Sequence, residues 1–154
     1  MASMRITIDD PARADVTALL AEHLADMHAT SPPESVHALD VTAFQAAAIT
    51  LWTARLDDVL LGCGALKELD PVHGEIKSMR TTTASRGTGV GRALLAHLLA
   101  STRERGYQRV SLETGTQDYF EPARGLYVAH GFVPCEPFAD YSLDPHSAYF
   151  TLTL

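Results

Sequence analysis

Apolar positions change period several times along the chain, and each change marks an element. Arg5, Ile6, Thr7 and Ile8 alternate polar and apolar, the period of a half-buried strand. Asp9 or Asp10 is placed to cap a helix with Pro11 in its first turn. Val16, Leu19, Leu20, His23, Leu24 and Met27 then follow at helical spacing. Ser31, Pro32, Pro33 and Glu34 predict a loop over residues 29–40, followed by a short helix over 41–48. Residues 49–55 and 59–67 read as strands around an Asp57-Asp58 turn, and residues 75–81 as a third strand of the same meander. Gly62 and Gly64, inside the second of these, predict a bulge or a close backbone approach. The clearest helix covers residues 90–105, where Val90, Leu94, Leu95, Leu98 and Leu99 form one apolar stripe that Gly106 is placed to end. Residues 109–113 alternate again. A short helix over 122–130 stops at Gly131, and residues 132–136 and 147–154 close the pattern as strands.

The strand–helix–strand order of residues 75–113 requires a right-handed crossover and parallel pairing, whereas the meander before it is antiparallel. The expected class is therefore α/β (α+β), a mixed sheet with helices on its faces, built as a single domain over residues 1–154. Charge narrows the partners: 12 Lys and Arg stand against 19 Asp and Glu, a formal net charge of −7. No nucleic acid is expected as a partner, because phosphate neutralisation needs clustered cations. A local positive site for an anionic ligand remains compatible with that balance. Cys63 and Cys135 are too few for a disulfide framework, and no CxxC or HExxH spacing calls for a metal. The first ten residues alternate and carry charge, unlike a signal peptide, and no apolar run reaches the ~18 residues of a membrane span. A cytoplasmic protein without a membrane partner is the expectation.

Candidate chemistry begins between the third strand of the meander and the strongest helix, at Arg86-Gly87-Thr88-Gly89-Val90-Gly91. A helix start exposes unpaired N–H groups and a partial positive charge. The glycines let the backbone approach a ligand closely, and Arg86 and Arg92 add charged donors. The combination suits phosphate or pyrophosphate. Gly91 is followed by Arg92 rather than by Lys-Ser/Thr, so the loop is not a P-loop, and its spacing is not GxGxxG.

Arg86-x-x-Gly89-x-Gly91 resembles the Q/R-x-x-G-x-G/A cofactor motif of the GNAT superfamily of N-acetyltransferases. Leu126-Tyr127 with Gly131-Phe132 resembles that family's LYxxxGF segment, and the order of elements matches over nearly the whole chain. The resemblance implies a GNAT-like, mostly antiparallel central sheet with a parallel β-α-β core and flanking helices. It also implies acetyl-CoA (coenzyme A) as co-substrate, with no metal. Backbone groups of Met79, Arg80 and Thr81 would pair with the pantetheine arm, and residues 86–91 with Arg92 would hold the pyrophosphate. Arg124 is a further cofactor contact to test. The Asn that the family often carries after the next strand is replaced here by Thr114-Gly115-Thr116-Gln117-Asp118.

Acetyl transfer to an amine needs a neutral amine, donors for the oxyanion and a proton for the departing thiolate. No Ser-His-Asp or Cys-His set is visible, which favours direct attack over an acyl-enzyme. By resemblance Tyr127 is the acid. Glu75, at the start of the strand beside the cofactor, is the first base candidate and Glu113, at the end of the next strand, the second; a water chain is an alternative to either. Glu34 and His37 could line an acceptor pocket, and Asp140, in Pro137-Phe138-Ala139-Asp140-Tyr141, could draw in a cationic amine. The reading is an N-acetyltransferase acting on a small-molecule amine acceptor, with a homodimer as the assembly to test. Its rivals are the same scaffold binding or sensing acyl-CoA without catalysis, and a nucleotide-binding enzyme.

Overall fold

The computed structural model describes residues 3–35 and 49–154, and the helix expected over 41–48 lies outside them, as does His37. Among the described residues seven strands form one sheet: β1 (Arg5–Ile8), β2 (Ile49–Leu56), β3 (Val59–Asp70), β4 (His73–Thr81), β5 (Arg109–Gly115), β6 (Val133–Pro134) and β7 (Ser147–Thr153). Their order across the sheet is β1-β2-β3-β4-β5-β7-β6. Every neighbouring pair is antiparallel except β4 and β5. That exception is the parallel pair expected around the crossover helix.

Among the described residues three α-helices flank the sheet: α1 (Ala14–Thr30), α2 (Val90–Glu104) and α3 (Glu121–Ala129). Val16, Leu19 and Leu20 of α1 pack on Leu51, Cys63 and Ala65. On the opposite face Leu95, Leu98 and Leu99 of α2 join Tyr127 of α3, Phe132, Trp52, Leu66, Ile76 and Leu112 in the main core. Because paired residues share a face, the alternation along β3 and β4 sorts each side chain to one helix layer or the other. Ile76, opposite Leu66, faces α2, whereas Lys77, opposite Ala65, faces α1.

The start of α1 departs from expectation. No side chain caps it, and Arg13 occupies the cap position. Asp10 Oδ1 instead accepts the N–H of Ala12 in a turn that also holds Pro11. Asp9 Oδ2 accepts from Thr53 Oγ1 at 2.7 Å and from Arg55 Nε at 3.1 Å. Burial of Arg55 drew the nearby acids to it, Asp15 included, and a local capping rule could not see that tertiary demand. The 132–136 strand shortens to Val133–Pro134.

The glycines of β3 mark a close approach. A Cβ on Gly62 would lie 2.8 Å from the Arg80 carbonyl oxygen and 3.1 Å from Leu94 Cδ1 and Val90 Cγ1 of α2. Backbone cannot move aside cheaply, so Gly62→Ala is expected to cost about 1–3 kcal/mol. A lowered urea midpoint at unchanged m-value would show it. An unchanged midpoint would mean that α2 does not bear on this strand.

Candidate active site

Parallel pairing of β4 and β5 runs from His73↔Arg109 to Ile76↔Leu112 and then stops, although both strands continue. The cause lies on the other side of β4. Lys77 pairs with Ala65 and Arg80 with Cys63, so Ser78 and Met79 together oppose the single residue Gly64. Such an extra residue bends a strand. Ser78 carries the distortion, with φ of 55°, a left-handed conformation uncommon for a residue with a side chain. Beyond Ile76 the strands diverge into a wedge.

A cavity of about 100 Å³ occupies this wedge. Its walls are Ile76, Lys77, Ser78 and Met79 of β4, Glu113, Thr114 and Gly115 of β5, and Phe120, Ala123 and Tyr127 from the α3 side. His23, Met27, Ser31 and Ser35 close it from α1 and the segment after it, and His146 from the segment before β7. Tyr127 and Glu113 thus share one cavity although they come from different elements. The phenol of Tyr127 is held well above its usual range, first by burial and then by the Glu113 charge, so it remains a donor. Burial pushes Glu113 up to about 7; the charges of Glu75 and Asp144 add to this, while Ser147 and Lys77 oppose it. A carboxyl group titrating there is suited to take a proton near neutral pH.

Glu75 has a different setting. It is buried, 2% exposed, and Oε2 accepts from Tyr141 Oη at 2.6 Å and from Lys77 Nζ at 3.2 Å. Lys77 Nζ also donates to Tyr141 Oη at 2.9 Å. The carboxylate is committed to this pair and does not line the cavity. Tyr141 is the residue that sequence reasoning missed. It belongs to the stretch in which Asp140 was favoured, yet Asp140 is exposed while Tyr141 turns inward. The aromatic spacing was the available signal, because Phe138, Tyr141 and Tyr149 pack at centroid distances of 5.1–6.2 Å.

At the far end of the wedge β4 leads into the glycine loop. Gly87 and Gly89 have φ of 76° and 90°, and no side chain caps α2. The first-turn N–H groups therefore point outward without a local side-chain acceptor. Arg86, Gly87, Thr88, Gly89 and Arg92 are exposed, while the Val90 side chain enters the core and leaves only its backbone for a ligand. Gly91 lies against Leu126 and Thr81.

One expected cofactor contact, Arg124, carries another duty. The Arg124 guanidinium donates through Nη1 to the carbonyls of Gly115 and Gln117, at 2.7 and 2.9 Å, tying the end of β5 to α3. The Arg80 side chain turns to α1, where it meets Glu22 and Asp26, with Tyr119 Oη at 3.2 Å. Of residues 79–81, expected to meet a cofactor through their backbone, Met79 lines the cavity. Glu34 is exposed on the short 3-10 turn Pro33–Ser35, beside the lining residue Ser35. Where the family's Asn would stand, Gln117 donates to Ser31 Oγ at 3.2 Å.

A family model described as "Acetyltransferase (GNAT) family" matches residues 16–132. An uncharacterized N-acetyltransferase of Bacillus subtilis, YsnE, is 51% identical, covering 98% of this chain and 100% of the relative. A structure from Klebsiella pneumoniae described as an acyl-CoA N-acyltransferase superposes with a TM-score of 0.79 at 28% identity, over 98% of this chain and 97% of that one. The fold is also that of a GNAT family acetyltransferase from Elizabethkingia anophelis with acetyl-CoA bound (TM-score 0.72, 17% identity, 98% of each chain).

Proposed function

The chain belongs to the GNAT acetyltransferase family and is an N-acetyltransferase, and from that premise we propose that it moves the acetyl group of acetyl-CoA to the amine of a small acceptor by direct attack. One observation carries the reading: the strand wedge joins an uncapped helix start at one end to a cavity holding Glu113 and Tyr127 at the other. The fold's occurrence with acetyl-CoA bound supports the choice of donor.

The residues divide the work by position. N–H groups of residues 86–91 hold the pyrophosphate at the α2 start, with Arg86 and Arg92 adding charge. Backbone groups of Met79, Arg80 and Thr81, freed by the divergence of β5, pair with the pantetheine arm as an additional strand. The thioester then lies beside the cavity. The acceptor nitrogen attacks the carbonyl carbon, a C–N bond forms and the C–S bond breaks. Glu113 removes the nitrogen's proton, and Tyr127 gives one to sulfur. Protonated Glu113 restores Tyr127, so the net movement is one proton from nitrogen to sulfur. Glu75 holds Lys77 and Tyr141 in place rather than touching the acceptor.

Isothermal titration with acetyl-CoA tests the donor; no binding by folded protein overturns the proposal. Gly89→Ala sharpens the test. Alanine at φ near 90° costs about 1–2 kcal/mol of strain, and relaxing it turns the first-turn N–H groups aside. The dissociation constant for acetyl-CoA is expected to rise about tenfold, the equivalent of about 1.4 kcal/mol. A lowered Tm with unchanged affinity would place the pyrophosphate elsewhere.

A further inference from the structure

Acetyl transfer makes a demand at each atom around the acetyl carbon. Glu113 serves the nitrogen and Tyr127 the sulfur. The oxygen becomes negative as nitrogen adds, and it needs a fixed donor, often the largest single contribution to acyl-transfer catalysis.

Ser78 offers one from the cavity wall. Its Oγ is buried without a hydrogen-bond partner among the described residues, and the residue is 8% exposed. Buried hydroxyls are rarely left unpaired, so a bound group is expected to satisfy this one. His23 Nδ1 is unpaired too, but it belongs to α1 and not to the strand that leads to the glycine loop.

Packing holds Ser78 in place. Met79, the other residue of the bulge, packs against the main core. A Cβ on Gly64 would lie 2.7 Å from Met79 Sδ and 2.9 Å from Leu98 Cδ1, so those two side chains fill the space above that glycine. Cys63 Sγ donates to the Ser78 carbonyl at 3.4 Å. Between these contacts Ser78 keeps φ of 55°, a conformation that costs a residue with a Cβ and persists only where its surroundings impose it.

The direction of β4 decides what this hydroxyl meets. The strand runs towards the loop at residues 86–91. With the pyrophosphate at that loop, the pantetheine arm runs back along Thr81, Arg80 and Met79. The next residue it reaches is Ser78, and the thioester is at that end of the arm. Resting on the acetyl-transfer reading above, we propose that Ser78 is a further catalytic residue, whose Oγ–H donates to the thioester oxygen and stabilises the oxyanion. As nitrogen adds, the π pair of the carbonyl moves to this oxygen. When the pair returns, C–S breaks and sulfur leaves with the proton from Tyr127. Ser78 keeps its own proton throughout.

Isotope-edited infrared spectra of carbonyl-labelled acetyl-CoA, bound to the full chain, test the contact without an acceptor. A donor at the oxygen lowers the C=O stretching frequency. In Ser78→Gly the band is expected to move back towards its position in solution. Glycine relieves the left-handed backbone, and Ser78→Ala deletes only an unpaired hydroxyl, so neither variant should lose Tm. With n-butylamine as acceptor, thiol release at saturating acetyl-CoA should fall about 10²-fold in both, while acetyl-CoA affinity stays within about threefold. The same band position in wild type and Ser78→Gly, or a wild-type rate in a variant that binds acetyl-CoA, overturns the role of Ser78 and leaves acetyl transfer standing. Absence of acetyl-CoA binding by folded wild-type protein overturns both readings.

Discussion

Glu113→Gln should lower kcat/KM by about 10²–10⁴-fold, the usual worth of a positioned general base, and yet make the protein more stable above neutral pH. Both effects have one cause. The native carboxyl titrates at about 7, against an ordinary value of 4.5. Below pH 4.5 the group is protonated folded or unfolded and adds no penalty. As pH rises from 4.5 to about 7, the unfolded chain releases the proton first, the native state binds more protons, and stability falls. Above about 7 the penalty is complete, up to about 3 kcal/mol. Glutamine keeps the shape and cannot ionise. The variant should therefore gain Tm relative to wild type as pH rises from 4 to 8, and lose the limb of the pH–rate profile that rises through about 7. A Tm difference independent of pH would show that Glu113 titrates normally. Retention of the limb would return the role of base to another group.

Tyr127→Phe is the second large effect, a fall in kcat of about 10²-fold or more with acetyl-CoA affinity held within about twofold. The substitution removes only the hydroxyl. Tyr127 is 6% exposed and packs edge-on against Phe132, with ring centroids 5.8 Å apart, a contact that phenylalanine keeps. Donor binding is proposed to rest on the glycine loop and the β4 backbone, which the change does not touch. Calorimetry and steady-state rates on the same preparation separate the two quantities. A variant that turns over like wild type would reduce Tyr127 to a core residue. One that loses affinity and rate together would make it part of the binding surface.

The active-site assignments show where local sequence reasoning reaches its limit. The inward position of Tyr127 on the cavity wall was legible because LYxxxGF couples an inward tyrosine to a helix end that Gly131 enforces, with φ of 94°. Glu75 and Glu113 looked equivalent, each a carboxylate at a strand position next to the crossover. They differ because Tyr141, 66 positions further along from Glu75, donates to it. No window of sequence contains both. Arg124 likewise had a local reason to face a cofactor, and the carbonyls of Gly115 and Gln117 claimed its guanidinium group.

The sequence by itself determined the elements, because period and glycine punctuation act over a few residues. Alternation placed the strands, the Leu94, Leu95, Leu98 and Leu99 stripe built α2 against the sheet, and Gly89 and Gly106 bounded it. Those local rules also located the uncapped start of α2, since a helix start is itself a local object. Tertiary structure decided the chemical end. The wedge exists only because two residues of β4 oppose one of β3 while β5 continues straight, and that mismatch is a property of three strands at once. The raised titration of Glu113 and the commitment of Glu75 both follow from what burial brought alongside them. Charge and hydrogen bonding depend on distance in space, which sequence spacing does not encode.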